Sequence, residues 1–188
     1  ADSGIEEFSH YIPYDDVLVV HTSGSSPMSV LKGDYRKGVF YPLQTFSKER
    51  TMRYDNIPFF IEAENPEDLK KLNELGNRIS NEVHELNFAS RMQVHMTGVW
   101  ANNFVNHLYY IAGNICEQNN VPFDVLLPLI QETANKVIEM NPKDAQTGPA
   151  KRGDQVIIDR HLEALQNDSR LLQIYQIMTD SIKRVYEK

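Results

Sequence analysis

A proline-free run, Arg91–Cys116 (RMQVHMTGVWANNFVNHLYYIAGNIC), constrains this chain more than any other feature. Met92, Val94, Met96, Val99, Trp100, Phe104, Val105, Leu108, Tyr109, Ile111 and Ile115 fall on nearly every side of a helical projection. A surface helix needs one polar face, so the run predicts a central, mostly buried helix in an all-helical half. With Phe88 and Ala89 it spans about eight turns at 3.6 residues each. Its polar exceptions are patterned. His95, Asn102 and Asn106 are spaced seven and four apart, with Asn103 beside them. Side chains at such spacings share a face. A polar stripe on a buried helix is either hydrogen-bonded to its neighbours or faces a wet cleft. The run itself leaves both alternatives open.

Upstream, strands alternate with helices. Residues 1–12 read as a helix capped by Asp2 or Ser3, with Ile5, Phe8 and Ile12 inward and Pro13 ending it. The valine-rich run Asp16–His21 reads as a buried parallel-type strand. The small-residue turn His21–Ser25 and a short helix opening at Pro27 follow it. Open α/β sheets keep their sites at the C-terminal ends of strands. The turn offers backbone N–H groups and hydroxyls from Thr22, Ser23, Ser25 and Ser26, which suit an anion or serve only as a capped loop. Gly38–Tyr41, Ile57–Glu62 and Asn81–Leu86 are further strands. Asn65 and Pro66 open a helix through Arg78 with Leu69, Leu72 and Leu75 inward. This alternation predicts an α/β sheet, mainly parallel.

After Phe88 the strand pattern stops. A second helix, Phe123–Met140, carries Phe123, Leu126, Leu127, Ile130, Ala134, Val137 and Ile138 inward and is bent or divided at Pro128. Asp154 caps a third helix through Leu165, burying Val156, Ile157 and Leu162 or His161. Ser169–Tyr186 is an amphipathic fourth. The expected domains are residues 1–86, the α/β part, and residues 87–188, the helical part.

A net charge of -7 disfavours a nucleic-acid partner, which would need clustered Lys and Arg. No apolar run reaches membrane-spanning length, so no membrane partner is expected. The single cysteine, Cys116, excludes an internal disulfide framework and reads as a small buried hydrophobe. No secretory signal pattern is present, which makes the cytoplasm the expected location. The sequence has no G-x-S-x-G, no G-x-G-x-x-G and no Walker A motif. Zinc-ligand spacing is absent too.

Several side chains remain as candidates. Arg152 lies between two glycines in a loop, beside Lys151 and a helix start, and its rigid fork suits carboxylate or phosphate. A salt bridge to Asp154 is the competing reading. His95, on the polar stripe, and His21, at a strand end, titrate near neutrality. His161 follows Asp154 by seven residues and shares its face. His84 reads as a solvent-facing strand residue.

The segments HTSGS (His21–Ser25), PLQTF (Pro42–Phe46), His95 with Asn102–Phe104, TGPAKRGD (Thr147–Asp154) and His161 occur in an order that resembles one family. These are the Rossmann-like proteins that carry the C-terminal domain of unknown function 2520, DUF2520, ascribed to NADP-dependent oxidoreductases. Tyr41 stands where the family's HPLQTF begins with histidine. The family's glycine-rich nucleotide-binding start is not in this sequence. The resemblance therefore implies that residues 1–86 are the trailing part of a Rossmann-like domain. It also implies that the helical part is similar to the C-terminal domain of 6-phosphogluconate dehydrogenase and pyrroline-5-carboxylate reductase relatives.

The same resemblance implies hydride transfer between NADP or NAD and a small anionic metabolite. The site would lie between the two parts, and a homodimer would form through the helical one. His95 or His161 would exchange the proton, with Asn103 and Arg152 in the catalytic set. His21, Thr22, Ser23, Gly24 and Ser25 would face the cofactor. Gln44, Asn102, Asn106, Lys151 and Arg152 would hold the substrate. Cofactor binding by this form is expected to be weak, because the pyrophosphate cradle is absent. A non-catalytic metabolite-binding or dimerisation module is the alternative.

Overall fold

The computed structural model describes residues 2–186 and falls into two compact units, Ala1–Ile115 and Cys116–Lys188. Ala1, Glu187 and Lys188 lie outside the described residues.

The first unit is built on a four-stranded sheet in the order β1 (Leu18–His21), β2 (Arg36–Pro42), β3 (Phe59–Ala63) and β4 (Val83–Glu85). The sequence predicts a mainly parallel sheet; the observed one is mixed. β1 pairs parallel with β2 and β3 parallel with β4, but β2 and β3 run antiparallel, with Phe40 opposite Ile61. Residues 43–58 contain no helix and turn the chain back, so that β3 lies antiparallel beside β2.

Helix α1 (Ile5–Ser9) follows a 3-10 turn, Asp2–Gly4. Its cap position is Gly4, without a side-chain bond, so Asp2 and Ser3 do not cap it as expected. Asp2 is engaged elsewhere, and Phe8 is 72% exposed. Ser9 anchors the helix instead: its Oγ accepts from the Lys32 N–H at 2.9 Å and its carbonyl from Tyr35 Oη at 3.0 Å. α2 (Pro66–Asn77) opens as the sequence implies, with Asn65 Oδ1 accepting the Asp68 N–H at 2.9 Å and proline in the first turn.

Phe40, Ile57, Phe59, Ile61 and Leu72 form the core, flanked by Leu18, Val20, Leu69, Ile79 and Val83. α2 lies so close to β4 that a Cβ on Gly76 would sit 2.8 Å from Val83 Cγ2. Leu75 faces outward at 46% exposure, contrary to expectation, because the helix points its Leu69–Leu72–Gly76 face at the sheet. Under α2, the buried Asp68 carboxylate accepts from Asn65 Nδ2 at 2.7 Å and faces Arg36 Nη1 at 3.2 Å. The Asn65 bond, followed by the charges of Arg36 and Lys71, holds its carboxyl below the usual range against the opposing effect of burial.

The long apolar run is helical, but neither uniform nor buried. α3 (Phe88–Gly98) passes into a π-helical stretch, Val99–Phe104, and then α4 (Val105–Gln118). Only Arg91 is buried in α3, and none of the residues in the next two segments is. Trp100 is 62% and Tyr110 60% exposed. An apolar residue on every side left no polar face to read as outward, so the sequence pattern assigned the run to the core. Cys116 is half-buried.

In the second unit, α5 (Leu127–Glu139) begins at the point where Pro128 divides it from a 3-10 turn, Phe123–Leu126. α6 (Pro142–Ala145) and α7 (Pro149–Arg152) are short; α8 (Gln155–Ala164) and α9 (Ser169–Tyr186) complete it. Asp154 caps α8, its Oδ1 accepting the Ile157 N–H at 3.3 Å. Ile158 is the fully buried position and Ile157 is half-buried, whereas Val156 is exposed; the inward stripe of α8 starts one residue later than the sequence suggests. Leu127, Val137 and Ile138, expected inward on α5, are exposed. No described helix is long and apolar enough to cross a membrane.

The burial difference along α2 has a measurable consequence. Leu72→Ala is expected to lower unfolding stability by about 2–5 kcal/mol and Leu75→Ala by less than about 1 kcal/mol. Urea denaturation of the two variants checks the order; equal losses would contradict this packing.

Candidate functional site

The turn after β1 is shaped from within. His21 is buried, and its Nδ1 accepts the Ser23 N–H at 3.2 Å. Ser23 Oγ in turn accepts the N–H groups of Ser25 at 3.1 Å and Ser26 at 3.0 Å. Short side-chain-to-backbone bonds of this kind replace ladder partners where a strand ends. The turn's hydroxyls converge on one point. Ser23 Oγ and Ser25 Oγ each lie 2.7 Å from Asp2 Oδ2, where the carboxylate accepts from both. Those bonds, Ser25 first and Ser23 second, hold the Asp2 carboxyl below the ordinary carboxylate value.

A buried ion pair fixes the turn against the sheet. Arg91, at the start of α3, has no exposed surface. Its Nη1 bonds the Glu62 carboxylate on β3, and its Nη2 donates to the Ser26 carbonyl at 2.7 Å. One guanidinium thus ties together β3, α3 and the turn. Its charge acts on His21 as well: burial first, then the nearby Arg91, pushes that imidazole below its ordinary value of 6.5.

Gly24 brings the turn onto two aromatic side chains. A Cβ at this position would lie 2.6 Å from Tyr41 Cζ and 2.8 Å from His95 Nδ1, distances that any larger residue would violate. Tyr41 comes from β2, opposite Phe60 of β3, whose ring stacks on it at 6.2 Å. His95 comes from α3. Tyr41 Oη and His95 Nδ1 are 3.3 Å apart, in hydrogen-bond range. Burial, and then the Asp2 charge, pushes the Tyr41 phenol above its usual value.

Tyr41 and His95 open onto a cleft of about 470 Å³, also lined by Leu43, Gln44, Asn102 and Asn103. That volume is in the range of small-molecule sites. The π-helical stretch supplies one wall. Asn102 and Asn103 of this stretch line the cleft with His95, and single π-turns often mark functional sites.

Of the side chains singled out from sequence, the first unit brings together His95, Gln44, Asn102, Asn103 and, through Gly24, the turn. Asn106 is exposed and outside the cleft lining. A strict 3.6-residue period places it on the His95 face; the π-helical residues change the phase. His21 and Ser23 lie beneath the turn as its scaffold, whereas Thr22 is exposed. His84 is exposed and pairs with Glu82 at 3.1 Å. In the second unit, Lys151 Nζ donates to the Gln146 carbonyl at 2.7 Å and sits 4.9 Å over the Tyr186 ring. Arg152 is exposed, and its only described charge partner, Asp154, is 4.0 Å away. His161 Nδ1 bonds Tyr175 Oη at 2.7 Å. Among the described residues, no group of three His, Cys, Asp or Glu side chains could hold a metal.

Sequence reasoning missed Asp2, Tyr41, Arg91 and Glu62. Arg91 carried a usable signal, a lone cation at the head of an apolar run. Tyr41 carried one too, its place at the head of the PLQTF motif; Asp2 and Glu62 carried none, since their partners are distant in sequence.

The domain of unknown function DUF2520 matches residues 57–182. The crystal structure of the "putative NADP oxidoreductase BF3122 from Bacteroides fragilis" superposes with a TM-score of 0.92 at 41% identity, over 97% of this chain and 72% of that one. Protein TM1727 from Thermotoga maritima superposes with a TM-score of 0.86 at 20% identity, over 100% of this chain and 77% of that one, and shares the fold. No curated protein matches the chain at a significant level.

The placement of His21 predicts a pH dependence. The unfolded chain binds the imidazole proton more readily than the fold does. The neutral ring's contribution is therefore fully present above pH 6.5 and is lost as pH falls through the depressed His21 value. Denaturation followed between pH 7 and 5 is expected to show this slope, reduced in His21→Gln; an unchanged slope would remove His21 as its source.

Proposed function

The chain belongs to the DUF2520 family, and on that premise we propose that it is an NAD(P)-dependent oxidoreductase acting on a small anionic substrate. The observation that supports this most directly is the His95 cleft. A titratable imidazole stands among amide side chains in a space of about 470 Å³, which suits orienting a carbonyl or imine and exchanging a proton with it. The relative from Bacteroides fragilis, at 41% identity, carries the NADP oxidoreductase description.

The turn His21–Ser25 is the segment we assign to the nicotinamide side of the site. Gly24 packs its backbone directly against Tyr41 and His95, and Ser23 and Ser25 hold the turn's shape by donating to Asp2, so the turn serves the cofactor by fixing where Tyr41 and His95 stand. A bound nicotinamide would supply hydride chemistry; the protein's part is to orient, exclude water and move the proton. Asn102, Asn103 and Gln44 are the orienting amides in this reading. Arg152, in the second unit, is the guanidinium we assign to the substrate's anionic group, on its exposure and its weak pairing with Asp154. His161 is a weaker candidate for proton exchange, because Tyr175 already engages its Nδ1.

Two outcomes test the reading. The intact gene product is expected to bind NADPH with fluorescence enhancement, and Arg152→Ala to raise KM for an acidic substrate roughly 10- to 100-fold, the effect of one charged hydrogen bond. An unaltered KM would remove Arg152 from the site. A homodimer is part of the same proposal, supported by apolar side chains such as Ile138 and Ile177 that stand 81% and 68% exposed in the second unit. Sedimentation velocity at micromolar concentration is expected to give twice the chain mass. A monomer at every concentration would discard it.

A further inference from the structure

Resting on the oxidoreductase reading, we infer that Tyr41 is the proton donor of the cleft and that His95 is the group that recharges it. The inference comes from geometry. Tyr41 and His95 both line the cleft, and Tyr41 Oη stands 3.3 Å from His95 Nδ1. The phenol ring is held in place by Phe60 on the neighbouring strand and by Gly24, whose missing side chain allows the turn to press against both members of the pair. His95 meets the Tyr41 ring edge-on, with ring centres 6.1 Å apart and an interplanar angle of 64°. This orientation directs the ring nitrogen at the hydroxyl rather than at the ring face. Neither group is engaged in a further described hydrogen bond, so the second lone pair and proton of Oη remain for a ligand.

The chemistry follows from the order of these atoms. With the Nδ1 proton donated to Oη, the phenol keeps its own proton free for the cleft. When a substrate carbonyl carbon is reduced by hydride from a nicotinamide, which is oxidised in turn, the carbonyl oxygen becomes an alkoxide oxygen that must be protonated. The Oη–H bond of Tyr41 breaks and an O–H bond forms on that oxygen. The Nδ1 proton of His95 passes to Oη, and the ring, half-buried in the helix wall, is reprotonated by a hydronium ion of the solvent, so that the net reaction consumes one solvent proton. In the oxidative direction each transfer runs in reverse. Burial and the Asp2 charge raise the phenol, which keeps it in its proton-bearing form between turnovers. The substrate class this pair serves is a small oxo acid or its hydroxy acid. The acid group is assigned by the functional reading, and the carbonyl by the donor hydroxyl.

Tyr41→Phe and His95→Gln test the pair in the intact gene product, with NADPH and a panel of glyoxylate, pyruvate and 2-oxobutanoate. Tyr41→Phe is expected to slow single-turnover NADPH oxidation about a hundredfold or more, the usual worth of a general acid, with NADPH affinity changed by less than about twofold. His95→Gln is expected to slow the same single turnover about tenfold or more, with NADPH affinity again changed by less than about twofold. A second readout does not depend on turnover: the ¹⁵N resonance of His95 Nδ1 moves in Tyr41→Phe if the hydroxyl bonds it. A wild-type rate in Tyr41→Phe, or an Nδ1 resonance unmoved by it, overturns the pair and leaves the oxidoreductase reading standing. Failure of the wild-type protein to bind NADPH or to oxidise it with any of the three acids overturns the reading, and the pair's role with it.

Discussion

The Arg91 guanidinium, without exposed surface, reaches Glu62 on β3 with one nitrogen and the Ser26 carbonyl with another. A charge this deep is tolerated only when paired and hydrogen-bonded; removing one partner leaves the other stranded at a cost of several kcal/mol. The geometry of the first unit follows from that constraint. Glu62 sits in the antiparallel pairing of β2 and β3, opposite Val39, so the register of the sheet places the acid. α3 must then begin where its first turn delivers Arg91 to that acid. The turn after β1 must present Ser26 to the same side chain. The pair is better read as a device that specifies position than as a source of net stability.

What that fixation achieves is a close approach of three elements at Gly24. The turn, β2 through Tyr41 and α3 through His95 come within van der Waals limits of one another, closer than any side chain on residue 24 would permit. The ordering of the turn is itself over-determined. His21 accepts from Ser23, Ser23 accepts from Ser25 and Ser26, and both hydroxyls donate to Asp2. Each bond restrains a group whose neighbour is restrained too, so the loss of conformational freedom is shared among several interactions. The result is a fixed backing for Tyr41 and His95, which line a cleft whose other wall, the π-helical stretch, is a departure from regular helix.

Large apolar side chains stand exposed on α3, the π-helical stretch, α4, α5 and α9. Trp100, Tyr110, Ile138 and Ile177 are each more than half exposed. Single exposed apolar residues are ordinary, but large ones in number mark surfaces that meet other surfaces. Trp100 and Phe104 pack edge to face at 4.8 Å on the outside of the π-helical stretch, which keeps that surface ordered.

The sequence by itself determined the elements with local causes. Asn65 and Pro66 start α2, Asp154 starts α8, Pro128 sits where α5 parts from the preceding 3-10 turn, and the amphipathic run Ser169–Tyr186 is a helix with those bounds. Caps, prolines and periodicity act within one helical turn, so they can be read from neighbours in the chain. The family motifs located the turn at His21–Ser25 and the His95 region for the same reason: each is a short contiguous string. Tertiary structure alone decided which of them meet. Periodicity buried Trp100 and put Asn106 with His95, because it assumes a regular helix packed on all sides and cannot see a π-helical phase change. It made Asp2 a cap, because the serines that bind it are more than twenty residues away. The Tyr41–His95 pair spans 54 residues and exists only because sheet register and a buried ion pair set the distance, quantities that no local pattern encodes.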